Sequence, residues 1–505
     1  MFAILNNKEE RYSLMQVNQL KISWKDFFSF NFKHAYLIKN AILIVLVFLL
    51  MRLIGFENQI ISFSIMFALA VFSYFYISIK NNDFFDFRAI FLAAWLVSFA
   101  LNLIRLNPIY NELSLKTSIV LIITPVMLLV GSFLYEIMHN NQTEEKVKPK
   151  NLMDGKLFFT VSLLISLFIL VCFAAESIII GELPYFSSDM NAYVTFYVSG
   201  LHQFVVLSYF IPCLAIIYIH QYGEKWHSPK ALLLIALSII SYAIPILIVS
   251  RQLLLQQLFL MFFTLAFYHR KKTFHLFIAM VLFFGWAFVF LSGARNQSEE
   301  YLANAYTQSN VQEEDSSKEP SDDTDTIKPT KHEVAFDLPS VLVTPYVYFS
   351  NSLQSFNNQV NHQKKHYYGI SLLELPVKAW SKITGEDVEL MDAYKHDKAR
   401  LQISPFLNTF GFVSDFYFDF GMIGVIAGMA LYGYVLAWLK HKSLVSQNPF
   451  IIMLSGLFVY ACLFSFFIPW LSNSTMQYTV VFLVLLAFWN TKTKNKVPVM
   501  NSPIH

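Results

Sequence analysis

LFFTVSLLISLFILVCFAAESII, residues 157–179, is almost wholly apolar and long enough to cross a bilayer as a helix. Lipid offers the backbone no partner, so such a run satisfies its amides only by bonding within itself, and about 17–25 residues suffice to span. Working outward, runs of the same kind recur at 37–55, 59–79, 88–106, 117–138, 200–220, 231–249, 252–269, 274–293, 412–439, 449–470 and 474–490. The pair 231–249 and 252–269 also admits reading as one interrupted segment. The pattern predicts an all-α polytopic membrane helical bundle of about twelve transmembrane helices.

Composition agrees. Of 505 residues, 56% are hydrophobic and only 14% charged, against about 25% charged in a soluble domain. A net charge of +3 is too small to suggest nucleic acid. Cys172, Cys213 and Cys462 all lie inside apolar runs and form no C-x-x-C, so neither a disulfide framework nor a thiolate metal site is supported. Polar and aromatic residues, with Lys21, Lys25 and Lys33 among them, precede the first apolar run, which therefore reads as a retained helix and not a cleaved signal.

Lysine and arginine fix the expected orientation. Starting with the N-terminus inside, the short inside loops carry Lys80, Lys146, Lys148, Lys150, Lys225, Lys230, Arg270, Lys271, Lys272, Lys440, Lys442, Lys492, Lys494 and Lys496. The short outside loops hold Lys116 and Arg251. Cytoplasmic loops are enriched in these residues, so both termini are expected in the cytoplasm. The chain then divides into a cytoplasmic segment 1–36, nine spans within 37–293, an extracytoplasmic loop 294–411, three spans within 412–490 and a cytoplasmic tail 491–505. Within the loop, 309–332 (SNVQEEDSSKEPSDDTDTIKPTKH) is acidic, poor in apolar residues and without periodicity, the composition of a disordered spacer. Residues 333–411 are richer in aromatics, and their apolar stretches are too short to span; they suit short interfacial or re-entrant helices over the bundle.

Several outside residues could carry chemistry. Arg251, Arg295 and Arg400 lie in outside loops or at outside helix ends. A guanidinium is always charged and matches phosphate oxygens with a planar fork of donors; the plainer alternative is an arginine whose head only reaches water and headgroups. Arg52 and Arg105, also near outside ends, show that such arginines are not rare here. Asp415 and Asp419 are four apart and share a helical face. They suit either a general base for a hydroxyl acceptor or acids stabilised at a helix N-terminus. Gly421, Gly424 and Gly428 are spaced as a packing face. His362 and His366, four apart, could share a helical face, as a sugar or proton contact or simply on a surface helix; a metal would need a third ligand. Glu182 and Tyr185 lie in the loop GELPYFSSDMNAYVTFYVSG, 181–200. No P-loop, G-x-G-x-x-G before a helix, H-E-x-x-H or G-x-S-x-G occurs.

GELPYF at 181–186, Ser250–Arg251 between two runs, SGARN at 292–296, YYG at 367–369, NTFG at 408–411 and YFDFGMIG at 417–424, in this order and with this long loop, resemble the Wzy-type O-antigen or oligosaccharide repeat-unit polymerases of bacterial inner membranes. The resemblance covers most of 155–490 and rests on arrangement as much as on letters. It implies a GT-C-like, metal-independent glycosyltransferase without cofactor, acting at the extracytoplasmic face. The partners implied are undecaprenyl-pyrophosphate-linked oligosaccharides and a chain-length regulator protein. Carried over, Arg251 and Arg295 would contact the pyrophosphate and the Asp415–Asp419 segment would border the acceptor. Arg400, Glu182, Tyr185, His366 and Tyr368 are the substrate-binding candidates. A ligase for finished glycan would share this architecture. A flippase would call for two equivalent halves and polar or interrupted helices at mid-membrane.

Overall fold

The computed structural model describes residues 34–54, 58–107, 110–139, 153–187, 192–269, 272–294, 340–385, 388–403 and 409–493. Each apolar run coincides with a helix: α1 (Ala35–Ile54), α2 (Gln59–Asn81), α3 (Phe87–Ile104), α4 (Leu115–His139), α5 (Gly155–Ile180), α6 (Phe210–Gln221, extended by short turns from His202), α7 (Pro229–Leu247), α8 (Arg251–Tyr268) and α9 (Thr273–Ala294). Three further helices, α10 (Ser340–His362), α11 (Glu374–Thr384) and α12 (Glu389–Arg400), belong to the long loop; α13 (Val413–Ser446), α14 (Pro449–Leu463) and α15 (Ser474–Thr493) follow. No strand occurs among the described residues. Among the described residues eight helical segments, α1–α5, His202–Gln221, α7 and α13, are long and apolar enough to cross a membrane. The chain is a multi-pass membrane protein.

Helix starts follow from local chemistry. The amides of a first turn lack partners within the helix, and a short polar side chain supplies one. Asn58, Asp86, Asp154, Ser228, Ser250 and Asn448 do so for six of these helices, with Pro229 and Pro449 directly after the cap in two. Ile248, Val249 and Ser250 separate α7 from α8, so the 231–269 region is two helices and a tight turn. Burial separates centre from rim: 78% of the apolar stretch of α3 is buried in the protein, against 28% of that of α5.

α4 and α13 cross closely because both are bare at the contact. A Cβ on Gly433 would lie 2.1 Å from the Leu128 carbonyl oxygen, and one on Gly131 would lie 1.8 Å from that of Ala430. At the ends of these helices that carry Lys440 and Glu136, Arg88 bonds Asp86 at 2.7 Å and Glu136 at 3.1 Å, while Lys440 bonds Asp83 at 2.7 Å and Asp86 at 2.8 Å. Burial disfavours the Asp86 charge, but Arg88 and Lys440 outweigh it and hold the carboxyl well below the usual range. The network ties the α2–α3 turn to α4 and α13, and we call this the basic end. The opposite, loop end carries α10–α12.

α13 is broken near its start. Gly421 has φ 61° and ψ −145°, a conformation open to glycine alone. The turns Val413–Phe420 fold back on the rest of the helix, so a Cβ on Gly424 would meet the Phe416 carbonyl oxygen at 2.3 Å and one on Gly428 the Phe416 ring at 2.4 Å. The expected glycine packing face therefore receives the chain's own preceding turns.

The loop holds a helix longer than its apolar stretches suggest. α10 is 23 residues long, and Ser350, Asn351, Ser352, Gln354, Ser355, Asn357, Asn358 and Gln359 are all buried. Hydropathy reads that polar half as solvated. It is instead roofed and floored by protein: Asn102 donates to the Ser350 carbonyl at 3.0 Å, Gln354 to Asn102 at 3.1 Å, Thr117 to Asn357 at 2.7 Å, and Gln359 to the Ser414 carbonyl at 3.1 Å. Its partners are the last turns of α3, the start of α4 and the start of α13, so α10 closes the loop end of the bundle.

Candidate functional site

The two aspartates of the fold-back segment are both 0% exposed, and each grips a different loop. Asp415 accepts the Ser472 amide at 3.2 Å and its hydroxyl at 3.0 Å. Asp419 accepts the Ser371 hydroxyl at 2.6 Å, its amide at 3.2 Å and the Leu372 amide at 3.3 Å. Backbone bonds from Tyr367 to the Phe418 carbonyl and from Tyr368 to that of Asp419, at 3.1 and 3.2 Å, complete the attachment. The spacing of four does place both acids on one face. That face points into protein.

The 363–372 segment brings two further candidates to the same place. α10 ends at His362, so His362 and His366 share no helical face. Instead His366 lies over the bare Gly421, where a Cβ would sit 2.9 Å from its ring, and its Nδ1 is 3.1 Å from the Gln363 amide. Tyr368 is 76% exposed with φ 51°, so the fold turns it outward. Beneath it Tyr367, Met391, Tyr394, Leu401, Phe410 and Phe418 form a small core of their own. Burial pushes the Tyr367 phenol well up, aided by its 2.5 Å bond to Asp397. Arg400 closes this subdomain, 3.7 Å from Asp397 and 3.4 Å from the His362 carbonyl oxygen.

Arg251 belongs to another corner. It is 8% exposed at the first position of α8, behind the capping Ser250 and behind Val249 at φ 58°. A β-branched residue in the left-handed region is strained. Glu182 and Tyr185 are exposed on the loop after α5, and the turn Pro184–Phe186 packs against α7, the helix that leads into Arg251. Arg295 and the 309–332 insert lie outside the described residues. Among the described residues no three His, Cys, Asp or Glu side chains gather as a metal ion would need.

Reading the sequence missed three polar groupings. Glu176, 0% exposed in α5, accepts the Val198 amide at 2.9 Å and faces His202 Nδ1 at 3.1 Å; a lone carboxylate in an apolar run was the available signal. Arg52 and Arg105 line one pocket of about 40 Å³ with Gln59, Asn102, Glu112 and Ser118, although α1 and α3 gave no hint that their ends meet. The third is the Asp86–Arg88–Lys440 network of the basic end. No family model, curated protein or solved structure matches the chain.

Proposed function

We propose that the chain is a repeat-unit polymerase, a membrane glycosyltransferase that moves an oligosaccharide from undecaprenyl pyrophosphate to a lipid-linked acceptor repeat. The observation that carries this reading is the setting of Arg251. A helix N-terminus is positive, which disfavours a buried cation and favours an anion. A buried guanidinium at that end, held behind a strained turn, sets a planar fork of donors beside the first amides of α8, a combination suited to phosphate oxygens. It would stabilise a departing pyrophosphate as a metal does elsewhere. Arg295 would add a second guanidinium, and the segment holding Asp415, Asp419, His366 and Tyr368 would border the acceptor, with Arg400, Glu182 and Tyr185 as outer contacts. In this reading the fold is GT-C-like with twelve spans, the membrane is the bacterial inner membrane, both termini are cytoplasmic, and the loop end faces outward. The product is an O-antigen, capsule or exopolysaccharide whose length a separate regulator would set.

Deleting the gene is expected to remove the long-chain ladder of surface glycan and leave single-repeat species. Complete loss of surface glycan would point instead to a ligase or flippase. Arg251→Ala and Arg295→Ala are each expected to lower chain extension by about 100-fold at normal protein levels, the cost of removing one charge-stabilising donor. Full-length ladders from both variants would end the pyrophosphate assignment.

A further inference from the structure

We infer that α11 is a bilayer anchor, lying flat in the leaflet that the Ser474 end of α15 enters. This stands independently of the polymerase reading. Leu373, Pro376, Trp380 and Ile383 recur at helical spacing and make one apolar stripe, while Val377 at its edge packs against the small core around Tyr367. The stripe is uncovered: Leu373 is 52% exposed, Trp380 59% and Ile383 81%, and α11 has no buried residue at all. The other face carries the Glu374–Lys378 ion pair and Lys382.

Attachment to α15 says what covers the stripe. The Leu375 amide donates to the Gln477 side chain at 3.3 Å, and Gln477 returns a bond to the Leu372 carbonyl at 3.0 Å. Gln477 sits in the first turn of α15, so α11 leaves the bundle at the Ser474 end of that helix. Beside Gln477, α15 exposes Tyr478, Val481, Val484, Leu485 and Phe488, an uncovered apolar side of that helix. The α11 stripe continues that surface. Lysines on the opposite face suit anionic headgroups, and tryptophan favours the interface. Through Leu372 and Ser371 the same segment is bonded to Asp419, so the anchor also sets the height of His366 and Tyr368 above the lipid.

The test uses the full chain in lipid vesicles, with an environment-sensitive fluorophore on Ile383→Cys or, for the polar face, Lys382→Cys. Cys172, Cys213 and Cys462 are buried, and the labelled wild-type protein supplies the background. An apolar face seated about 5–10 Å deep predicts that lipids brominated near the glycerol quench the Ile383 label roughly two-fold more than the Lys382 label. Trp380→Cys is expected to repeat the Ile383 result and guards against one variant misfolding. Equal quenching of both faces by aqueous iodide with none by bromolipid would overturn the anchor. So would oxidative Ile383→Cys dimers lacking bromolipid quenching, which would mean that a second copy covers the stripe.

Discussion

Asp419 spends its carboxylate on three donors from Ser371 and Leu372, and a carboxylate so engaged acts first as a clamp. Asp419→Asn presents an amide N–H to those donors and is expected to cost about 3 kcal/mol, read as a lower melting temperature. Ser371→Ala removes one partner, and the double variant is expected to melt no lower than Asp419→Asn alone, as coupled groups do. A general base would behave otherwise: Asp419→Asn would abolish glycan transfer at unchanged melting temperature, with Ser371→Ala near wild type. The spacing of Asp415 and Asp419 made their common face legible, but not its direction. That depends on Ser371 and Ser472, which no local rule connects to them. Glu176 was legible in principle, as a charge inside an apolar run.

Among helices, the α4–α13 crossing is the contact with least room. Gly433→Leu and Gly131→Leu must drive backbones apart, since even a Cβ would overlap Leu128 or Ala430 carbonyl oxygens. Each is expected to cost about 1–3 kcal/mol or more through overpacking, seen as reduced folded yield in detergent. Gly285 is the control: a Cβ there would meet no atom within 4 Å, and Gly285→Ala should be neutral. Helices such as α5 were legible because the bilayer imposes length and apolarity on any spanning segment. α10 was not, because its serines, asparagines and glutamines answer to Asn102, Thr117 and Ser414, more than fifty to about two hundred and fifty positions away. Propensity and hydropathy carry no trace of such partners. The break at Gly421 was equally silent: glycine there reads as packing, and only the positive φ reveals a reversal.

Across the entire molecule, like ends meet like. The basic end joins the α2–α3 turn, α4 and α13, while the loop end joins α3, α4, α10 and the start of α13. If the lysine bias sets orientation, Lys395→Cys, exposed on α12, should react with an impermeant maleimide on intact cells. Lys225→Cys, exposed at the basic end, should react only after permeabilisation. The reverse pattern would invert the topology and remove the loop end from the outer face. The alternating polarity of the chain made this arrangement legible, whereas the meeting of α1 and α3 at the Arg52–Arg105 pocket was not, since sequence order does not specify which ends become neighbours.

The polar character of α10 also orders events during biogenesis. A segment rich in serine, asparagine and glutamine has no reason to leave the translocon for lipid, so it stays with its loop and waits in water. Its hydrogen-bonding partners come from α3 and α4, made long before it, and from α13, made after it. Docking α10 is therefore a late step with high contact order, and loop closure of that kind is slow. Until it happens, the loop end of the newly inserted bundle stands open.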